Sequence, residues 1–217
     1  MRNKIFIGLL FGCFMNIFGQ SHVNYPQDGI YGGLESGVAF VKVNGTFNNN
    51  IFKIDDEEFL SLDYIKSVIG INLGYGKYIG ESMIGIELHY SIYTKKISES
   101  FEQGSINFDV SISSKSEIDL IIGRKIGVKS LLTLRGGFAF SNINVIVNYN
   151  SGKETDKLDE QWNGFSLGMG YVYGISEKLS IKTKYNLTTF KNNKFPKTKS
   201  TLVDNRATLS LIYTIWN

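Results

Sequence analysis

Residues 163–174 read NGFSLGMGYVYG. One parity carries Asn163, Phe165, Leu167, Met169, Tyr171 and Tyr173, and the other carries Gly164, Ser166, Gly168, Gly170, Val172 and Gly174. Unbroken alternation of this kind is the period of an extended strand, whose successive side chains point to opposite faces. A water-facing surface gains nothing from a row of glycines, which weaken a strand, whereas a curved and crowded concave wall needs them. The stretch therefore reads as part of a wall with large apolar groups outside and small groups inside.

The same alternation recurs in eight segments, at about 34–43, 64–78, 82–95, 106–124, 130–147, 163–174, 178–190 and 206–216. The apolar parity carries Ile69, Ile71 and Leu73 in the second and Ile84, Ile86 and Leu88 in the third. It continues with Leu120 in the fourth, Leu132 and Leu134 in the fifth, Phe165, Leu167 and Met169 in the sixth, and Leu209 and Leu211 in the eighth. A parity slip near Asn142 predicts a bulge. Between the segments, long polar connections (44–63, 96–105, 148–161, 191–205) alternate with short ones (79–81, 125–129, 175–177). That rhythm is an up-and-down antiparallel meander with one plain end and one elaborate end.

A soluble β-sandwich also alternates, with its apolar parity turned to a core. Three features favour a lipid-facing wall instead. Glycine concentrates on the polar parity. Tyr and Phe, 12 and 15 in the chain, gather near segment ends, as expected of aromatic girdles. The segments also have the length of tilted bilayer-crossing strands, longer than most sandwich strands.

The 217 residues are 42% hydrophobic and 20% charged, with 23 Gly and 2 Pro. This composition excludes a disordered or collagenous chain and suits one domain. A formal net charge of +3 without a basic helix or aromatic-basic cluster does not suggest a nucleic-acid partner. The opening MRNKIFIGLLFGCFMNIFGQS, with Arg2 and Lys4 before an apolar run from Ile5 to Phe18, has the layout of a signal peptide cleaved between Gly19 and His22. The expected organisation is a cleaved signal peptide at 1–20, a short periplasmic segment at 21–33 and a barrel domain at 34–217. The single cysteine, Cys13, lies in the leader, with Phe11 too bulky for a lipoprotein signal, so the mature chain is expected to hold no disulfide.

Signal peptide, eight alternating segments, three short turns, four long connections and the final ATLSLIYTIWN together resemble the small eight-stranded outer-membrane barrels of the OmpA/OmpX-like, porin-family type. The resemblance spans the whole mature chain. It departs from the family at the C-terminus, where Trp216 is penultimate and Asn217 takes the place of a terminal aromatic. It implies a transmembrane β-barrel in a Gram-negative cell envelope, with long loops outside and short turns in the periplasm. It further implies a monomer among outer-membrane lipids and lipopolysaccharide, assembled by the barrel assembly machinery. No cofactor, metal or particular extracellular partner is implied.

The polar parity sets the expected interior: Glu87, Glu117, Asp119, Arg135, Lys182, Lys184 and Arg206. A two-residue turn at Gly80–Glu81 sets Gly74 opposite Glu87 and Asn72 opposite His89. Turns centred near Gly127 and Ser176 would set Asp119 opposite Arg135, Gly170 opposite Lys182 and Gly168 opposite Lys184. Eight strands leave room only for side chains, and buried charges persist when paired, so the expectation is a salt-bridged plug without an open channel.

The expected protein is not an enzyme, and its expected role is envelope-structural or surface-interacting. The catalytic alternative is ELHYS, where His89 and Ser91 share a face as in outer-membrane lipid A deacylases, with Glu99 or Glu102 as the acid. Ile92 stands where that pattern has an asparagine. The remaining alternative is a secreted soluble sandwich. GYGKYIG (74–80) and GLESG (33–37) precede no helix and so make no phosphate loop. DDEE at 55–58 lacks the spaced oxygens of a calcium loop, and Lys191, Lys194, Lys197 and Lys199 suit either a solvated loop or contact with lipopolysaccharide.

Overall fold

A sheet that carries apolar groups on its outer parity has two unpaired edges, and closing it on itself removes both. In the computed structural model the sheet closes in this way, as β1 (Gly29–Phe47), β2 (Phe59–Ile79), β3 (Ser82–Gln103), β4 (Ile106–Lys125), β5 (Ser130–Tyr149), β6 (Thr155–Gly174), β7 (Leu179–Asn192) and β8 (Thr198–Trp216). Each strand pairs antiparallel with its chain neighbours and β8 returns to β1, so the barrel is closed and the sandwich alternative does not hold. The backbone is described for residues 27–47, 59–103, 106–149, 155–192 and 198–216, and side chains for 27–42, 64–94, 112–142, 161–190 and 201–216. The leader with Cys13, the DDEE run, Lys194 and Lys197 lie outside the described residues, and the side chains of Glu99, Glu102, Lys191 and Lys199 are likewise outside them.

The strands are longer than hydrophobic alternation suggests. β1 begins at Gly29, so residues 29–33 belong to the wall, because the glycines of GIYGG hide the alternation. Most of 96–105, 148–161 and 191–205 continues as strand, since β3 runs to Gln103, β5 to Tyr149, and β6 and β8 start at Thr155 and Thr198. These stretches are mostly polar, with isolated apolar residues such as Ile97, Phe101, Leu158 and Leu202, so the apolar alternation fades while the backbone goes on pairing.

The bulge sits on the neighbouring strand. Ile112 pairs Ile143 and Ser114 pairs Asn142, which leaves Ser113 of β4 as the additional residue. Ile112, which shares the sequence parity of outward-facing Ile118 and Leu120, is therefore turned inward and fully buried. β3 has a larger irregularity at the same level, where Ile92 pairs Ser114 and the next pairing is Ile97 with Ile112.

Above this level the wall divides. β2 and β3 pair from Ile79–Ser82 up to Val68–Tyr93, and β6 and β7 from Gly174–Ser180 up to Asn163–Lys191, twelve pairs at each seam. The other pairings continue further, to Thr46–Phe59 between β1 and β2 and to Asn148–Thr155 between β5 and β6. Beyond these pairs β8, β1 and β2 stay paired on one side, with β7 reaching only to Asn192, and β3, β4, β5 and β6 stay paired on the other.

Candidate functional site

Parity carries side chains of all eight strands into the lumen, where they lie in three layers. Near the short turns, Met83, Ile121, Leu131 and Val172 form an apolar cluster with Tyr78 against it. Toward the other end, Ala39, Val41, Val68, Tyr93, Ile112, Ala139, Trp162, Phe190 and Leu202 form a second cluster. Buried charged groups fill the level between. Among the described residues these are Glu35, Glu87, Glu117, Asp119 and Asp204 with Lys115, Arg135, Lys182, Lys184 and Arg206, and His89 lies among them.

The charges form two groups, each balanced when His89 is neutral. In the group nearer the turns, Arg135 donates from Nε to Asp119 Oδ2 at 3.0 Å and from Nη2 to Glu87 Oε1 at 2.7 Å. Lys182 Nζ donates to the same Glu87 oxygen at 2.7 Å, and the Tyr31 hydroxyl to Glu87 Oε2 at 2.8 Å. Ser166 donates to Asp119 Oδ1 at 2.7 Å, and Lys184 to Glu35 Oε2 at 3.0 Å. His89 bridges the set, with Nε2 against Glu87 Oε1 and Nδ1 3.2 Å from Lys184 Nζ. His89 Nε2 also lies 2.9 Å from Arg135 Nη2, so the ring touches an acid and two bases of the group.

In the second group Lys115 Nζ lies 2.8 Å from Glu117 Oε1 and 3.3 Å from Asp204 Oδ2, and donates to Thr188 Oγ1 at 2.6 Å. Arg206 donates to Asp204 Oδ2 from Nε and to the Tyr93 hydroxyl from Nη2, both at 2.7 Å, while Nη1 donates to Ser91 Oγ. Tyr93 closes the ring by donating to Asp204 Oδ2 at 3.1 Å. Buried charges are tolerable only with such multiple pairing, because each ion has given up its hydration shell.

The glycines give these long side chains room. A Cβ on Gly137 would collide with Ile118 O and approach the Asp119 Cα to 2.8 Å, and one on Gly168 would strike the Asn186 amide. At Gly136, on the outer parity, the nearest atom would be Ser166 O at 3.9 Å. The crowding that glycine relieves is therefore on the concave side.

Two of the three turn registers differ from the sequence reading. Gly80, with φ of 64°, begins a two-residue turn, and Gly74 pairs Glu87 and Asn72 pairs His89, as the sequence predicts. The other turns are centred on Val128 and Glu177, each one residue beyond the expected glycine or serine, and are closed by Ile126 N–Ser130 O and Ile175 N–Leu179 O hydrogen bonds. Moving a turn centre by one residue moves every partner by two. Asp119 therefore pairs Gly137 and Arg135 pairs Ile121, while Gly170 pairs Lys184, Lys182 pairs Val172 and Gly168 pairs Asn186. Parity survives the slip, and Arg135 reaches Asp119 along a diagonal.

Glu87, Glu117, Asp119, Arg135, Lys182, Lys184 and Arg206 are all buried in the lumen. The sequence reading omits Glu35, Lys115 and Asp204 from this set. Glu35 and Lys115 stand on the inward parity of their segments; Asp204 lies in a stretch read as loop, though its alternation with Arg206 and Thr208 is visible in VDNRATLS. The residues assigned to lipid, Ile69, Ile71, Leu73, Ile84, Ile86, Leu88, Leu120, Leu132, Leu134, Phe165, Leu167, Met169, Leu209 and Leu211, are all on the outer surface and exposed.

His89 and Ser91 share the lumen face, each engaged by other partners. Both ring nitrogens of His89 are engaged by Glu87 and Lys184, while Ser91 accepts from Arg206 and donates to Lys115 O at 3.4 Å. A serine nucleophile needs a free imidazole lone pair aimed at its hydroxyl, and among the described contacts none joins the two side chains.

No curated protein sequence is significantly similar to the chain. Among solved structures, the attachment invasion locus protein Ail of Yersinia pestis is 14% identical, with a TM-score of 0.40, over 84% of this chain and 99% of its own. Neisserial surface protein A is 12% identical, with a TM-score of 0.48, over 86% and 97%. The outer membrane protease OmpT of Escherichia coli is 9% identical, with a TM-score of 0.48, over 87% and 97%. At such identities the likeness is one of chain path and confers no activity on this protein. The sequence profile of the outer membrane protein beta-barrel domain matches residues 14–213. With a closed eight-stranded up-and-down barrel and an apolar outer face, the chain belongs to that family of outer-membrane β-barrel proteins.

Proposed function

We propose that the protein is a non-enzymatic, monomeric barrel that serves envelope integrity or surface interaction and does not conduct solutes. It is exported through a cleaved signal peptide, with its short turns in the periplasm and its long hairpins outside. The observation that carries this reading is the lumen: two balanced ion-pair groups lie between two apolar clusters. A hydrated ion entering either end meets hydrocarbon before it meets a charge, and the charges beyond are already paired.

Planar-bilayer recording is the test. The reconstituted protein is expected to give no steady large conductance, and a stable open level would overturn the plug. Ser91→Ala is expected to leave lipid A acylation unchanged; an altered acyl pattern would restore the deacylase reading. For orientation, protease added to intact cells is expected to cut near Lys153 or Lys157 and to spare Lys125 and Lys178. The reverse pattern would invert the barrel.

A further inference from the structure

Turns that project into water are normally polar throughout, and those of this barrel mix exposed apolar residues with their polar ones. Ile79 stands beside the first turn, Ile126 and Val128 lie in the second and Ile175 in the third; all are exposed, as is Trp216 at the same end, 72% accessible. The apolar outer surface thus runs on to the tips of the wall. Basic residues are interspersed with it: Lys77, Arg124 and Lys178 are exposed, and Lys125 and Lys129 are partly so. The acidic groups facing them are Asp28, Glu81 and Glu177, of which Glu81 lies 4.0 Å from Arg124. Lys125 Nζ sits 4.5 Å over the Tyr78 ring. The rim is therefore apolar at its tips and basic on balance.

We propose that this rim lies within the headgroup layer of the periplasmic leaflet and binds anionic phospholipid. The inference rests on the membrane orientation given above. Apolar side chains flanked by cations match an interface in which acyl chains meet phosphates, where aromatic and basic residues anchor a protein. Lys77 and Arg124 sit on the outer parity, directly below the apolar band, where a phosphate of an adjacent lipid comes within reach. Lys178 belongs to the Trp216 neighbourhood, since its carbonyl accepts a 2.8 Å bond from Thr214 N. A periplasmic protein surface would leave the isoleucines in water until it arrived, whereas lipid covers them continuously.

The chain has two tryptophans, so Trp162→Phe leaves Trp216 as the sole emitter at the rim. That protein is reconstituted in phosphatidylcholine vesicles containing either brominated phosphatidylglycerol or brominated phosphatidylcholine at equal mole fraction. The expected result is about twofold stronger quenching by the glycerol lipid, since each basic residue near an anionic surface contributes measurably to lipid enrichment. The excess is expected to vanish in a variant that also carries Arg124→Gln, Lys129→Gln and Lys178→Gln, with heat-modifiable gel migration confirming that it folds. Equal quenching by the two lipids in the parent, or an excess that persists in the variant, overturns the proposal and leaves the barrel in the membrane. Quenching by neither lipid overturns the proposal and takes the rim out of the membrane, while the protease pattern on intact cells reads the orientation separately.

Discussion

Toward the short turns every strand of this barrel is paired on both sides, whereas beyond Val68–Tyr93 the described strands β2 and β3 run on without a ladder between them, and beyond Asn163–Lys191 the described β7 ends at Asn192. The sequence alternates on both sides of that boundary, but the surroundings differ. In hydrocarbon an unpaired backbone amide has no water to bond, so a lipid-spanning wall must be closed; in water an open seam is affordable. The twelve-pair zone is close to the roughly 9–11 residues that a tilted strand needs to cross a bilayer. The closed zone is thus long enough for one bilayer crossing.

The comparison can be tested most severely inside the closed zone. Arg135→Ala leaves Glu87 and Asp119 short of a buried partner. It is expected to destabilise the barrel by roughly 3–5 kcal/mol, read from urea unfolding in lipid vesicles. A loss under 1 kcal/mol would mean that water reaches the lumen and that the plug is not dry.

The next test places charge on the outer face on either side of the boundary. Leu134→Arg, near the middle of the closed zone, is expected to lose about 2–4 kcal/mol, and Ile65→Arg, beyond the β2–β3 seam, about 0–1 kcal/mol. Equal losses would move the membrane boundary past the seam. Adjacent glycines give a smaller contrast between the two faces. Gly137→Ala is expected to destabilise by about 1–3 kcal/mol through overpacking, and Gly136→Ala to stay within about 0.5 kcal/mol.

Much of this was legible in the sequence because parity is a robust signal. Inward and outward assignments from Gly164 to Gly174 hold through a register error, since a slip of two residues preserves the face. Pairing itself was legible only at Gly80–Glu81, where a glycine at positive φ fixes a two-residue turn. Gly127 and Ser176 attract the turn centre in a sequence reading, but the closing hydrogen bonds place it one residue later. The bulge at Ser113 escaped because its visible sign, near Asn142, lies on the opposite strand. Asp204 escaped because hydrophobic alternation fades before the strand does.

The mildest test perturbs nothing. By hydrogen–deuterium exchange, alternate amides of 60–66 in β2, those that point into the seam, are expected to exchange quickly, while those of 69–78 remain protected. Uniform protection across both stretches would show that the seam closes in the membrane.

The interior contacts also set a timetable. Glu35 meets Lys184 across 149 residues of chain, and Glu87 meets Lys182 across 95. Asp204, which binds Lys115 and Arg206, arrives only with the last strand. A sheet without its last two strands thus leaves Glu35 and Glu87 short of their lysines, although Arg135 already has Asp119 and Glu87 within the neighbouring strands. Closure of the ring is thus what completes the ion pairs of its bore, and the last strand carries the acid that both Lys115 and Arg206 share.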